Sequence, residues 1–304
     1  MFHYQVLRKG PDRQWVILLH GLGGSSSIWY KQVDAYARHA NVVLVDLYGH
    51  GKTRDTLPAY SFEALAAGVF CVMDELELES AHITGISLGS ILASVMGAIA
   101  PHRVNSLILG GAVPGLNLRS RFLLHAAKVL RYAMPYMWLY RLFALIMMPR
   151  RRHAKSRGIF VREAKKLGRP EFLKWYRMLQ AFPRIHRNLS RRLRDTNVPK
   201  LFISGSEDHL FLRMVKNYVR TDPLASLHIL ERCGHVCNIE NPGEFNQASL
   251  GYMTGISARQ PAYTVIEGLR NTQKVPAAGL PGQLTPGCQP VACPSAQCIQ
   301  SFGS

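Results

Sequence analysis

The chain reads as an α/β fold: a doubly wound, mostly parallel sheet carrying an inserted helical cap. Three observations predict it. Short apolar runs rich in β-branched residues recur along the 304 residues, separated by helix-like stretches, as in a parallel sheet covered on both faces. One of these runs leads into Gly85-Ile86-Ser87-Leu88-Gly89. The roughly eighty residues from Gly115 far exceed an ordinary βα connection and read as a helical insertion.

In chain order, residues 2–7 predict an edge strand, and Trp15–Leu19 and 42–45 predict buried ones. A helix over 61–77 follows, with Ser61 as N-cap. Further strands are expected at 81–84, 104–109, 201–204 and 227–230, and further helices at 88–100 and Pro242–Met253. The core is therefore expected over 1–114 and 199–257, and the cap over 115–198. Residues 258–304, rich in proline and glycine, predict a disordered tail or a read-through segment.

Ser87 lies between two glycines where a strand turns into a helix. Such a sharp turn strains the serine backbone and pushes its hydroxyl into the open. Upstream, the glycine-rich His20-Gly21-Leu22-Gly23-Gly24 follows a buried strand, so backbone amides there can approach a substrate oxygen. The amides of Leu22 and Leu88 are the expected oxyanion donors. No Gly-Lys-Ser/Thr ending follows to suggest a phosphate cradle. Downstream, Gly205-Ser206-Glu207-Asp208 and Cys233-Gly234-His235 place carboxylates and a histidine just past two strands, in the order Ser, Asp, His.

On these motifs the chain resembles the α/β-hydrolase family over about residues 1–255. The loop Asp46-Leu47-Tyr48-Gly49-His50-Gly51-Lys52-Thr53 and the Asn241-Pro242 pair are similar to the family's too. The resemblance implies Ser87 as nucleophile, His235 as general base and then acid, and Asp208 as the residue that orients it. Glu207 competes with Asp208, and the family spacing from Gly205 favours Asp208. His20 and His50 read as loop-holding residues.

The charge is concentrated. Of 37 Lys and Arg residues, 21 lie between Gly115 and Pro199, against three acids, so the whole net charge of +18 falls on the insertion. No nucleic-acid recognition motif accompanies it, and nucleic acid is not an expected partner. A solvated basic face is one reading; attraction to an anionic membrane surface or substrate is the other. The stretch 132–149 is apolar, but Pro135 and Arg141 argue against a membrane span. It reads instead as lid helices lining an acyl pocket, with Trp138 and Phe143 in its wall and Arg150, Arg151 and Arg152 meeting water or headgroups.

Met1 leads directly into a strand, without a signal-peptide pattern, and the six cysteines form no secreted framework. A cytoplasmic protein is expected, peripheral to the membrane if the cap binds one. Cys71 should be buried. A zinc site at Cys233, His235 and Cys237 would consume the base that Ser87 needs. Cys288, Cys293 and Cys298 could bind metal or pair between chains, on weak spacing alone. The expected function is cofactor-free hydrolysis of short or medium acyl, or monoacylglycerol-like, carboxylic esters. Alternatives are a lactonase of the acyl-homoserine lactone type, another hydrolase of the same fold, or a slowly turning-over signalling receptor or partner-binding protein.

Overall fold

The computed structural model describes residues 1–54, 57–255 and 265–267. Its strands are β1 (His3–Leu7), β2 (Trp15–Leu19), β3 (Asn41–Asp46), β4 (Ala81–Ile86), β5 (Val104–Gly110), β6 (Lys200–Gly205), β7 (Ala225–Leu230) and β8 (Val265–Glu267). They form one sheet in the order β1-β3-β2-β4-β5-β6-β7-β8. Among the described strands only β1, at the edge, runs antiparallel to its neighbour. The tail expected over 258–304 lies outside the described residues except for β8, an element that composition did not predict.

Strands buried on both faces show as unbroken apolar runs, and β2 divides its side chains between two cores. Ile17 and Leu19 join one, and Val16 and Leu18 join the other. Several strands extend beyond their apolar runs because buried polar residues there are paired. Asn41 accepts from the Lys9 amide at 2.6 Å, and Lys200 meets Asp222 at 3.1 Å with both side chains fully buried.

Helices α1 (Val33–Ala37), α2 (Phe62–Glu75) and α3 (Leu88–Ile99) belong to the first half. Ser61 caps α2 by accepting from the Ala64 amide at 3.1 Å, as its sequence position predicts. Cys71, on α2, is half-buried rather than buried, so its expected full burial is corrected. Between β5 and β6 stand four helices: α4 (Leu118–Ala133), α5 (Tyr136–Met147), α6 (Ala154–Ala164) and α7 (Arg169–Arg194). Then come α8 (Leu212–Val219), α9 (Cys237–Glu240) and α10 (Pro242–Met253). Among the described residues, no helix is long and apolar enough to cross a membrane.

Parallel pairing aligns the carboxyl ends of the strands. Leu19 sits opposite Gly85, Ile86 opposite Gly110, and Gly205 opposite Leu230. The loops that follow β2, β4, β6 and β7 therefore converge at one edge of the sheet, where open α/β sheets place their ligands.

Candidate active site

Ser87 joins β4 to α3 with φ 54° and ψ −114°, a conformation disfavoured for any residue with a Cβ. The flanking glycines are required by space. A Cβ on Gly85 would overlap the Gly89 carbonyl, and one on Gly89 would overlap the Leu19 carbonyl. The strained turn is held from outside. The Ser87 amide donates to Gly110 at 2.9 Å, and the Ser90 hydroxyl donates to the Ser87 carbonyl at 2.6 Å.

Three side chains from three loops form one hydrogen-bonded line. The Ser87 hydroxyl lies 2.9 Å from His235 Nε2, and His235 Nδ1 lies 2.8 Å from Asp208 Oδ2. With the carboxylate accepting at Nδ1, that nitrogen carries the proton and Nε2 is free to accept from serine. His235 and Asp208 are almost wholly buried, and Asp208 Oδ1 also accepts from the Phe211 amide at 3.2 Å. The Phe211 ring packs against the imidazole with the ring centroids 5.3 Å apart.

Glu207 is turned elsewhere. It accepts from His153 Nε2 at 2.9 Å and pairs with Arg150 and Arg152, each at 3.3 Å. Arg150 and Arg152 thus pair with a carboxylate of the loop after β6, while all three arginines of the run stay exposed to water as expected. Glu240 adds further contacts, accepting from the Gly234 amide at 2.6 Å and from Ser156 at 2.9 Å. His153, Ser156 and Glu240 carry no motif and were missed in the sequence.

The glycine-rich loop after β2 is cross-braced by two buried histidines. His50 Nε2 accepts from the Gly23 amide at 2.8 Å, and its Nδ1 lies 3.0 Å from the Tyr48 carbonyl. His20 Nε2 accepts from the Leu47 amide at 3.0 Å, with Nδ1 at 2.8 Å from the Gly21 carbonyl. Burial pushes both imidazoles below their ordinary range, and for His50 the neighbouring His20 adds to it, so each can accept at Nε2. Asp46 completes the brace, accepting from the amides of Ser26 at 2.7 Å and Lys52 at 3.0 Å. The loop so held brings Leu22 into the lining of an apolar cavity that Ser87 and Leu88 also line.

That cavity, about 230 Å³, is walled by α4, α5, α6 and α7 and is almost entirely apolar. Phe143 lies in its wall, with Leu139 and Met147 from the same helix. Trp138 does not: it is 63% exposed and stands apart from the lining, correcting its assignment as a pocket residue. The reason is helical geometry, since Trp138 is turned about 100° from Leu139. Phe160, Phe172, Phe182 and Phe211 complete the wall from segments without sequence motifs. Ser87 also borders a smaller space of about 30 Å³, lined by Ser156, Glu163, His235 and Ile239. Burial raises the thiols of Cys233 and Cys237 far above their usual range. Among the described residues, no three His, Cys, Asp or Glu side chains are grouped to hold a metal ion.

Residues 16–248 match the alpha/beta hydrolase family. A 2-hydroxy-6-oxononadienedioate/2-hydroxy-6-oxononatrienedioate hydrolase of Paraburkholderia phymatum is 30% identical over 269 residues, covering 80% of this chain and 88% of its own. A carboxylesterase structure from Nitrososphaera gargenis is similar at TM-score 0.71 and 20% identity, covering 84% and 95% of the two chains. The enol-lactonase of Burkholderia xenovorans LB400 is similar at 0.70 and 20%, covering 83% and 96%.

Proposed function

The chain belongs to the alpha/beta hydrolase family, and from that premise we propose that it hydrolyses uncharged carboxylic esters or lactones through an acyl-enzyme on Ser87. One observation carries the reading: the Ser87 hydroxyl is bonded to a buried His–Asp pair and opens onto a large apolar cavity. His235 takes the serine proton as the hydroxyl attacks the carbonyl carbon, and Asp208 stabilises the imidazolium that forms. The oxyanion is met by the amides of Leu22 and Leu88, the second at the N-terminus of α3 where the helix field favours negative charge. His235 returns the proton to the leaving alcohol, and water then releases the acyl group by the same route.

The cavity selects the substrate. Its lining has no Lys or Arg, and its tyrosines are already committed. The Tyr140 hydroxyl donates to the Leu22 carbonyl at 2.8 Å, and that of Tyr176 to Leu124 at 3.0 Å. A dioate, as in the name of the Paraburkholderia relative, would bury carboxylate without a counter-charge, at a cost of several kcal/mol. An alkyl acyl chain is favoured, with a small alcohol on the Ser156–Glu163 side.

A panel of p-nitrophenyl esters of increasing chain length, with an acyl-homoserine lactone and a dioate, tests the reading. Turnover that rises with acyl length into the medium range is expected, with the dioate poor and fluorophosphonate labelling confined to Ser87. Labelling without turnover would favour a slow receptor; neither labelling nor turnover would overturn the proposal.

A further inference from the structure

Helices α4 and α5 are joined by Met134 and Pro135 and pack as a hairpin whose inner side roofs the cavity. The outer side is apolar as well. Leu118, Phe122 and Val129 are 83%, 71% and 71% exposed, and their spacing of four and seven puts them on one stripe of α4. Trp138 and Leu145, seven apart on α5, are 63% and 49% exposed. Helices in contact with water on one side gain nothing from apolar stripes there, so this face suits a second apolar environment.

The charges around it say which. Arg119, Arg121, Lys128 and Arg141 are exposed on the same two helices, and no Asp or Glu occurs from Gly115 to Arg162. Two copies of the chain meeting through this face would set the cations against their own images. A layer with an apolar interior and anionic headgroups complements both features at once.

We propose that the outer face of the α4–α5 hairpin docks on an anionic lipid surface, with Phe122 and Trp138 entering the boundary between headgroups and acyl chains. Docking is thereby assigned to this hairpin rather than to the Arg150–Arg152 run, where Glu207 pairs with Arg150 and Arg152. The same hairpin roofs the cavity, so a lipid ester would have only two helices to pass between bilayer and Ser87. That last step rests on the ester reading above; the docking does not.

Co-sedimentation of the full chain with vesicles tests it, using phosphatidylcholine with and without phosphatidylglycerol, at low and high salt. Binding is expected only with the anionic lipid, falling as salt rises. The Phe122→Ser/Trp138→Ser variant should bind about tenfold more weakly or worse, with its salt dependence unchanged. The Arg119→Gln/Arg121→Gln/Lys128→Gln variant should lose about fivefold per cation and respond less to salt. None of these side chains lines the cavity, so hydrolysis of a soluble ester and the melting profile serve as folding controls. Equal binding to neutral vesicles, or full binding by the Phe122/Trp138 variant, would overturn the proposal. So would a dimer in sedimentation velocity that this variant abolishes. Vesicle binding is read without turnover, so its failure is separate from failure of the ester reading.

Discussion

Glu207 and Asp208 are consecutive, yet their carboxylates bond to different histidines. Asp208 bonds to His235 at 2.8 Å, and Glu207 bonds to the buried His153, from the segment between β5 and β6, at 2.9 Å. A related contact recurs one loop away. The amide of Gly234, next to His235, is held by Glu240, which also holds Ser156 of α6. The join between insertion and core thus runs beside the proposed base and its orienting acid, and disturbance of one should be felt by the other.

The pair gives the first prediction. Asp208→Asn should lower kcat by about ten-thousandfold, because an amide at that position permits the wrong imidazole tautomer. Glu207→Gln keeps an acceptor for His153 but leaves Arg150 and Arg152 without their counter-charge. It should reduce the melting temperature by a few degrees, with kcat within about tenfold of the parent. A reversed order of the two effects on kcat would show that Glu207 is the orienting acid.

Ser87 gives the second. Its backbone strain belongs to any residue with a Cβ, so Ser87→Ala should abolish turnover with little gain in stability. Ser87→Gly should abolish turnover too and stabilise the fold by about 1–3 kcal/mol, since glycine tolerates positive φ. Equal stability of the two variants in urea unfolding would mean that the turn is not strained.

The strands and the Ser87–His235–Asp208 line were legible because their signals are local. A doubly covered strand is an apolar run, and an elbow shows as glycines beside a serine. What was not legible depends on direction or distance. Hydrophobicity alone picked Trp138 with Phe143, and only the helical period separates Leu139, Phe143 and Met147 on the cavity side from Trp138 outside. The partner of His153 stands 54 residues away, so the Arg150–Arg152 run gave no hint that it meets a carboxylate. The ion pair of Lys200 was not legible because its partner Asp222 lies beyond β6 in the chain.

The wall assignment gives the third prediction. Phe143→Ala enlarges the cavity and should shift preference toward longer or branched acyl chains, raising the optimum in a p-nitrophenyl ester series. Trp138→Ala should leave the chain-length profile of soluble esters unchanged, because its indole stands outside the lining. Parallel shifts in both variants would place Trp138 in the wall after all.

The fourth concerns Lys200 and Asp222, whose side chains are fully buried and 3.1 Å apart. Burial lowers the Lys200 ammonium while Asp222 pulls it back up. Lys200→Met or Asp222→Asn alone should destabilise by about 3–5 kcal/mol, because each leaves the other partner buried without its match. The double variant Lys200→Met/Asp222→Leu should cost much less than the sum. Additive losses in a double-mutant cycle would mean that the two groups do not interact.

The last prediction is the pH dependence of stability. Burial lowers His82 to about 4, and it lowers His20 and His50 as well. In the unfolded chain these imidazoles titrate near the ordinary value of 6.5. Below that pH the unfolded state takes up protons that the folded state refuses, so stability falls as pH falls and is insensitive to these groups above it. For His82 the window runs from about 6.5 down to about 4. Each such histidine contributes a slope of up to about 1.4 kcal/mol per pH unit inside its window. His82 lies between Ser106 Oγ and Gln14 Oε1, each at 2.7 Å, and His82→Gln retains hydrogen-bonding capacity without the titration. Urea unfolding from about pH 7 to about pH 5 should therefore show a shallower loss in His82→Gln than in the parent. Carboxylates titrate identically in both proteins, so the difference between the two curves belongs to His82. Superimposable pH profiles would refute the claim that His82 resists protonation in the fold.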